Sequence, residues 1–72
     1  MINKRMLFAL EHFNKSSGLL MELTKIVVSK HIDIRTTFVL HYRCEGKRYK
    51  EIIEVQEYPS GALKAFYGEV YA

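Results

Sequence analysis

Few residues of this chain could do chemistry, and their spacing decides most cases. Cys44 is the sole cysteine, and His12, His31 and His41 are the three imidazoles. The segment His41-Tyr42-Arg43-Cys44 brings one of each into local reach, with the Arg43 charge beside the thiol to favour a thiolate. On a strand, residues three apart point to opposite faces, so His41 can be neither the base for Cys44 nor its co-ligand on a metal ion. Glu51 and Glu57 share a strand face but stand six residues apart, about 20 Å, too far for a paired-carboxylate mechanism. Glu54 points the other way, toward Arg35 or Lys64, where a surface ion pair is expected. The four glycines are isolated, so no phosphate-binding loop is present. A 72-residue chain also lacks walls for a pocket of a few hundred cubic ångströms. The expectation is a protein with no catalytic residues, no metal site and no cofactor.

Two groups of residues point to binding instead. Arg43, Lys47, Arg48 and Lys50 gather with His41 around one short turn, opposed only by Glu45. If that turn closes a hairpin, Arg43 faces Arg48 and His41 faces Lys50, an arrangement of like charges that an anionic partner would relieve. The plainer role is a solvated, charged hairpin end that resists edge pairing. The second group is aromatic: Tyr42, Tyr49, Tyr67 and Tyr71 fall on one face of the expected sheet, toward one end and beyond the reach of a twelve-residue helix. Tyrosine suits both a core and an interface, because its ring is apolar and its hydroxyl can stay wet.

These residues need elements to hold them. Ile2, Met6, Ala9, Leu10 and Phe13 recur at helical spacing after Asn3 as a candidate N-cap, and the run from Asn14 to Gly18 stops that helix. Residues 19–31 support two readings. Leu19, Leu20, Leu23, Ile26 and Val27 follow helical spacing with Ser17 as a cap, whereas the β-branched cluster Thr24, Ile26, Val27, Val28 prefers a strand. The helical spacing is the slightly stronger signal.

From Ile32 to Cys44 the apolar residues alternate, as in a half-buried strand. Glu45-Gly46 makes a hairpin turn, and Tyr49 to Tyr58 returns. Pairing Cys44 with Lys47 sets Tyr42 opposite Tyr49, Phe38 opposite Ile53 and Thr36 opposite Val55. Tyr58-Pro59-Ser60-Gly61 turns the chain again, and Ala62 to Tyr71 forms a third strand. The expected fold is α+β: one or two N-terminal helices packed on an antiparallel three- or four-stranded β-meander, in a single domain over residues 1–72.

Composition bounds the function. Hydrophobic residues at 49% and charged residues at 26% describe a chain that folds, with a small core and marginal stability that a partner would supplement. The apolar run from Met6 to Leu10 is too short for a signal peptide or a membrane span. With one cysteine, a cytoplasmic location is expected and no membrane partner. The leading expectation is a small non-catalytic regulator or inhibitor, of a size common in phages and mobile elements. It would engage a protein partner through the tyrosine face and the basic tip. One alternative is a nucleic-acid module using the basic tip and the sheet face, where Phe66 and Val39 lie beside Arg35 and Lys64 and could stack bases. A helix-turn-helix would present Glu22, Lys25 and Ser29, a poor set for reading base edges. The other alternative is an obligate homodimer of structural role. The net charge of +3 is spread diffusely along the sequence.

Overall fold

A computed structural model of the chain describes residues 2–16, 18 and 20–68. Helix α1 (Ile2–Ser16) is followed by strands β1 (Met21–Ile32), β2 (Arg35–Cys44), β3 (Lys47–Glu57) and β4 (Leu63–Tyr67). The strands pair in chain order as one antiparallel sheet. This is the expected α+β arrangement, with one helix and four strands.

The second helix suggested by residues 19–31 does not form, and β1 stands in its place. Two register irregularities contribute to the misleading spacing by setting Leu23 and Ile26 three apart on one face, although Val27, which the helical spacing also included, lies on the other. Between Leu23 and Lys25, and again between Val28 and Lys30, β1 carries an extra residue relative to β2. Each bulge advances the strand by one residue without changing faces. The residues on the helix-bearing face of the sheet are therefore Met21, Leu23, Ile26, Val28 and His31, paired with alternate residues of β2 from Cys44 to Thr36. Their steps of two and three resemble half a helical pattern, while the β-branched content reflects the actual strand. The Thr24 hydroxyl, on the first bulge, donates to the His41 carbonyl at 3.1 Å.

The alternation from Ile32 to Cys44 is interrupted by a turn. The chain reverses at Asp33 and Ile34, with Asp33 at φ 51°, a left-handed conformation that aspartate tolerates. Ile32 and Ile34 lie on either side of Asp33 and conceal the break. At the next turn, Glu45 (φ 51°) and Gly46 (φ 81°) both adopt left-handed backbone, as a two-residue hairpin requires. The β2–β3 register is the expected one, with Cys44 opposite Lys47, Tyr42 opposite Tyr49, Phe38 opposite Ile53 and Thr36 opposite Val55. The turn from Tyr58 to Gly61 closes with the Gly61 N–H donating to the Tyr58 carbonyl at 2.8 Å, Gly61 being at φ 90°. The strand that follows is shorter than Ala62 to Tyr71, and Tyr71 lies outside the described residues.

One face of the sheet is covered. Ala9 and Phe13 of α1 are buried against Phe38 and Leu40 of β2 and Ile53 and Val55 of β3. The helix lies over β2, β3 and β4 and leaves β1 outside its footprint. Arg5, 8% exposed, anchors its first turns. Its Nε donates to Glu57 Oε1 at 2.9 Å, and its Nη1 donates to Thr36 Oγ1 at 2.9 Å and to the Asp33 carbonyl at 3.2 Å. A guanidinium this buried is tolerated because its Nε and Nη1 meet three acceptors, one of them a carboxylate. Lys4 adds a donation to the Gly61 carbonyl at 3.2 Å and an ion pair with Glu57 at 3.6 Å. Helix start and sheet end are thereby tied together at both neighbouring turns.

Candidate functional site

The other face of the sheet has nothing over it among the described residues, and the register assigns its occupants row by row. Glu22, Arg43 and Arg48 form the row nearest the β2–β3 turn, followed by Lys25, His41 and Lys50. Val27, Val39 and Ile52 make the central row, which Gly68 extends by donating its N–H to the Ile52 carbonyl at 2.8 Å. Then come Lys30, Thr37, Glu54 and Phe66, and last Ile32, Arg35, Gln56 and Lys64.

This face collects charge. It holds seven of the chain's eleven lysines and arginines (Lys25, Lys30, Arg35, Arg43, Arg48, Lys50 and Lys64) against two of its eight acids. A surplus of five on one face exceeds the +3 of the entire chain. The positive charge that is diffuse along the sequence is concentrated in space, and the rest of the chain is net acidic. Arg43 contacts Glu22 at 3.4 Å, an exposed pair worth about 0–1 kcal/mol that other anions can replace. Glu54 accepts a hydrogen bond from Gln56 Nε2 at 2.8 Å, in place of the ion pair expected with Arg35 or Lys64. His41 registers the surrounding field: partial burial and the flanking charges of Lys25 and Lys50 hold its pKa below the ordinary 6.5.

The centre of the face is apolar. Val39 and Ile52 are half-buried, Val27 is 38% exposed and Phe66 is 45% exposed. A band of hydrocarbon thus crosses the strands, bordered about 7 Å away by Lys25, His41 and Lys50 on one side and by Lys30, Thr37 and Glu54 on the other. Gly68 keeps the band low, since a Cβ there would stand 3.1 Å from the Ile52 side chain. Tyr58 lies past the last row, its hydroxyl donating to Gln56 Oε1 at 3.0 Å and Lys64 Nζ 6.0 Å from its ring centre.

The residues singled out in the sequence divide between the two faces. His41, Arg43, Arg48 and Lys50 share the open face, whereas Lys47 pairs with Cys44 on the register of the covered side. Tyr42, Tyr49 and Tyr67 also lie on the covered side, and Tyr71 falls outside the described residues. Tyr42 stacks on Tyr49, with ring centres 5.5 Å apart and planes 18° apart, and meets Phe13 at 5.4 Å. The Tyr67 hydroxyl lies 3.0 Å from His12 Nδ1. Phe13 and His12 of α1 therefore reach Tyr42 and Tyr67, contrary to the expectation that these rings lie beyond the helix. Both residues belong to the helix read from the sequence, so it is the placement of the helix over the sheet and not its length that brings them together. Burial, aided by Glu51, Tyr49 and Cys44, pushes the Tyr42 phenol above its ordinary value, and burial likewise raises the Glu51 carboxyl. His41, Arg43, Arg48 and Lys50 are consequently separated by the sheet from Tyr42, Tyr49 and Tyr67, while Lys47 shares the tyrosines' side.

Several members of the open face were missed in the sequence: Lys25 and Lys30 as neighbours of the hairpin cations, Val27 and Ile52 in the band, and Gly68 beside it. The signal lay in β1. Once its two extra residues are allowed for, its lysines fall on the same face as Arg43 and Arg48. Among the described residues no three His, Cys, Asp or Glu side chains converge as a metal site would need, and no helix is long and apolar enough to cross a membrane. Comparison with protein-family models, with curated proteins and with solved structures gives no match.

Proposed function

We propose that this is a small non-catalytic binding protein whose recognition surface is the open sheet face and whose ligand is nucleic acid. The observation that carries this reading is the concentration of seven cations on one uncovered face, in rows repeated across four strands. A protein surface with one or two carboxylates would satisfy a corner of that array. A phosphate backbone offers a negative charge at every step and releases its counterions on binding, so it can engage many rows together. The half-buried Cys44 has no partner thiol, which suits the reducing cytoplasm expected for the protein.

The test is titration of labelled DNA and RNA at several salt concentrations. Arg43→Gln, Arg48→Gln and Lys50→Gln made together should weaken binding to all sequences alike. They should also flatten the logarithmic salt dependence by about 0.7–0.9 for each phosphate no longer neutralised. No binding at low salt would refute the reading.

A second reading rests on the opposite side. Leu7 and Leu20 are exposed there together with Tyr49 and Tyr67, a set suited to protein contact, either with a distinct partner or in a homo-oligomer. Light scattering across a concentration series tests the homo-oligomer directly, and a constant monomer mass would remove it.

A further inference from the structure

The open face is more than a set of charges, because its cations flank a hydrophobic centre. Val27, Val39 and Ile52 lie side by side on three adjacent strands, Gly68 prolongs the row at the level of β4, and Phe66 stands at that end. Lys25 and Lys50 border the band on one side; the row on the other side holds Lys30, Thr37 and Glu54, with Lys30 at the β1 end and the Glu54 carboxylate in register with Phe66. A duplex keeps its bases inside and presents sugar and phosphate, so it would lay charged, hydrated groups on hydrocarbon and leave the band without a partner. A single strand carries phosphates and exposed apolar base faces on the same polymer, which is the pairing of chemistries this face displays.

We infer, resting on the nucleic-acid reading above, that the ligand is single-stranded and crosses the sheet along the apolar band. Its bases lie on Val27, Val39, Ile52 and Phe66, and its phosphates meet Lys25 and Lys50 along one side and Lys30 at the β1 end of the other, away from the Glu54 carboxylate. The path runs across the β-strands. Neighbouring strands are about 4.8 Å apart, so the band spans about 14 Å from β1 to β4, a length for a few nucleotides. Gly68 belongs to the path for a steric reason: a side chain there would press against Ile52 and raise a step between the band and Phe66. Because β-branched side chains and one phenyl ring offer faces without directed hydrogen-bond groups, binding along the band tolerates many sequences.

Fluorescence anisotropy on the full chain with three ligands of equal length tests this. The ligands are a mixed-sequence single strand of about 12 nucleotides, within the 4–16 typical of small single-strand modules, its duplex, and an abasic sugar-phosphate strand. The expected result is a single strand bound at least about tenfold more tightly than the abasic strand, the difference being base stacking. Its logarithmic salt slope should be about 0.7 per phosphate contact, against about 0.9 for a duplex. Phe66→Ala with Val27→Ser, both at exposed positions, should remove the tenfold advantage and leave the abasic affinity unchanged. Equal affinity for the single strand and either of the other ligands overturns the single-strand inference while leaving the nucleic-acid reading intact. That comparison uses the unaltered protein and does not depend on how any variant folds. Failure of all three ligands to bind at low salt overturns both.

Discussion

Phe38 and Val39 are neighbours in sequence and lie on opposite faces of one sheet. Phe38 is fully buried beneath α1, in a row with Ile53, whereas Val39 is half-buried in a row with Val27 and Ile52 that none of the described residues covers. On the covered face apolar side chains fill the space between two layers, and Arg5, buried at one end of it, donates to Glu57, Thr36 and the Asp33 carbonyl. On the open face a hydrocarbon band of similar chemistry is left to water between a row bearing Lys25 and Lys50 and one bearing Lys30 and Glu54. The contrast teaches that residue type alone does not separate core from interface in so small a protein. What separates them is whether a second layer lies above, and here one 15-residue helix provides that layer for one face only.

The sharpest way to break this contrast is to truncate the two neighbours in turn. Phe38→Ala should cost about 3–5 kcal/mol by urea unfolding, enough to remove most of the stability of a domain this size. Val39→Ala should cost less than about 1 kcal/mol. Similar losses would mean that the open face is a second core missing its cover.

Next in size is the charged anchor. Arg5→Ala leaves Thr36 and Glu57 without this donor and should cost about 2–4 kcal/mol, read from the same denaturation curves. Removing three cations together from the open face, with Arg43, Arg48 and Lys50 each changed to Gln, should by contrast leave the melting temperature unchanged or slightly raised. Arg43 and Arg48 face one another across the hairpin, and the exposed Glu22 pair offsets little of that repulsion.

A smaller effect distinguishes two carboxyls on the covered side through pH. The Arg5 hydrogen bond, reinforced by nearby positive charge and opposed by burial, holds Glu57 below the ordinary 4.5. A lowered carboxyl pKa contributes stability that is fully present above the unfolded value and is lost as pH falls through the folded one. Stability should therefore decline below about pH 4.5, and Glu57→Gln should lack that component. Glu51 is shifted the other way by burial, so its ionised form opposes folding at neutral pH. Glu51→Gln should stabilise at pH 7, and the gain should disappear in acid, where the native carboxyl is protonated.

The smallest effect belongs to the open face. In an NMR titration, Lys25→Gln should move the His41 pKa up toward its ordinary value, because one of the two flanking positive charges is gone. No movement would mean that the lysines point away from His41 into solvent.

Legibility in the sequence followed the regularity of the elements. The β2–β3 hairpin was readable pair by pair, because Glu45-Gly46 defines a two-residue turn and strict alternation leaves one register that keeps Phe38, Leu40, Ile53 and Val55 together. Helix α1 was readable from Met6, Ala9 and Phe13, although it begins at Ile2, so that Asn3 lies inside it, and it continues to Ser16. β1 was not readable as a strand alone, because its bulges give the inward residues helical-looking spacing. That one element also hid the candidate site. With Lys25 and Lys30 on a helix, the cations look scattered. With both on β1, they complete a face shared with residues more than ten positions away in sequence. The separation of His41, Arg43, Arg48 and Lys50 from Tyr42 and Tyr49 was implicit in the hairpin parity, whereas the placement of α1 that brings Phe13 to Tyr42 and His12 to Tyr67 was not.

The bulges of β1 also bear on how the molecule behaves in a crowded solution. β1 is an outer strand of the sheet and lies outside the footprint of α1, the position at which a sheet most readily recruits a foreign strand and begins to grow. Irregularities after Leu23 and after Val28 interrupt the even ladder of donors and acceptors that an incoming chain would need, and Lys25 and Lys30 place a charge at each interruption. An uninterrupted pairing surface of twelve residues is thereby reduced to short segments. The same two insertions that confuse the reading of the sequence make this edge a poor seed for fibrils.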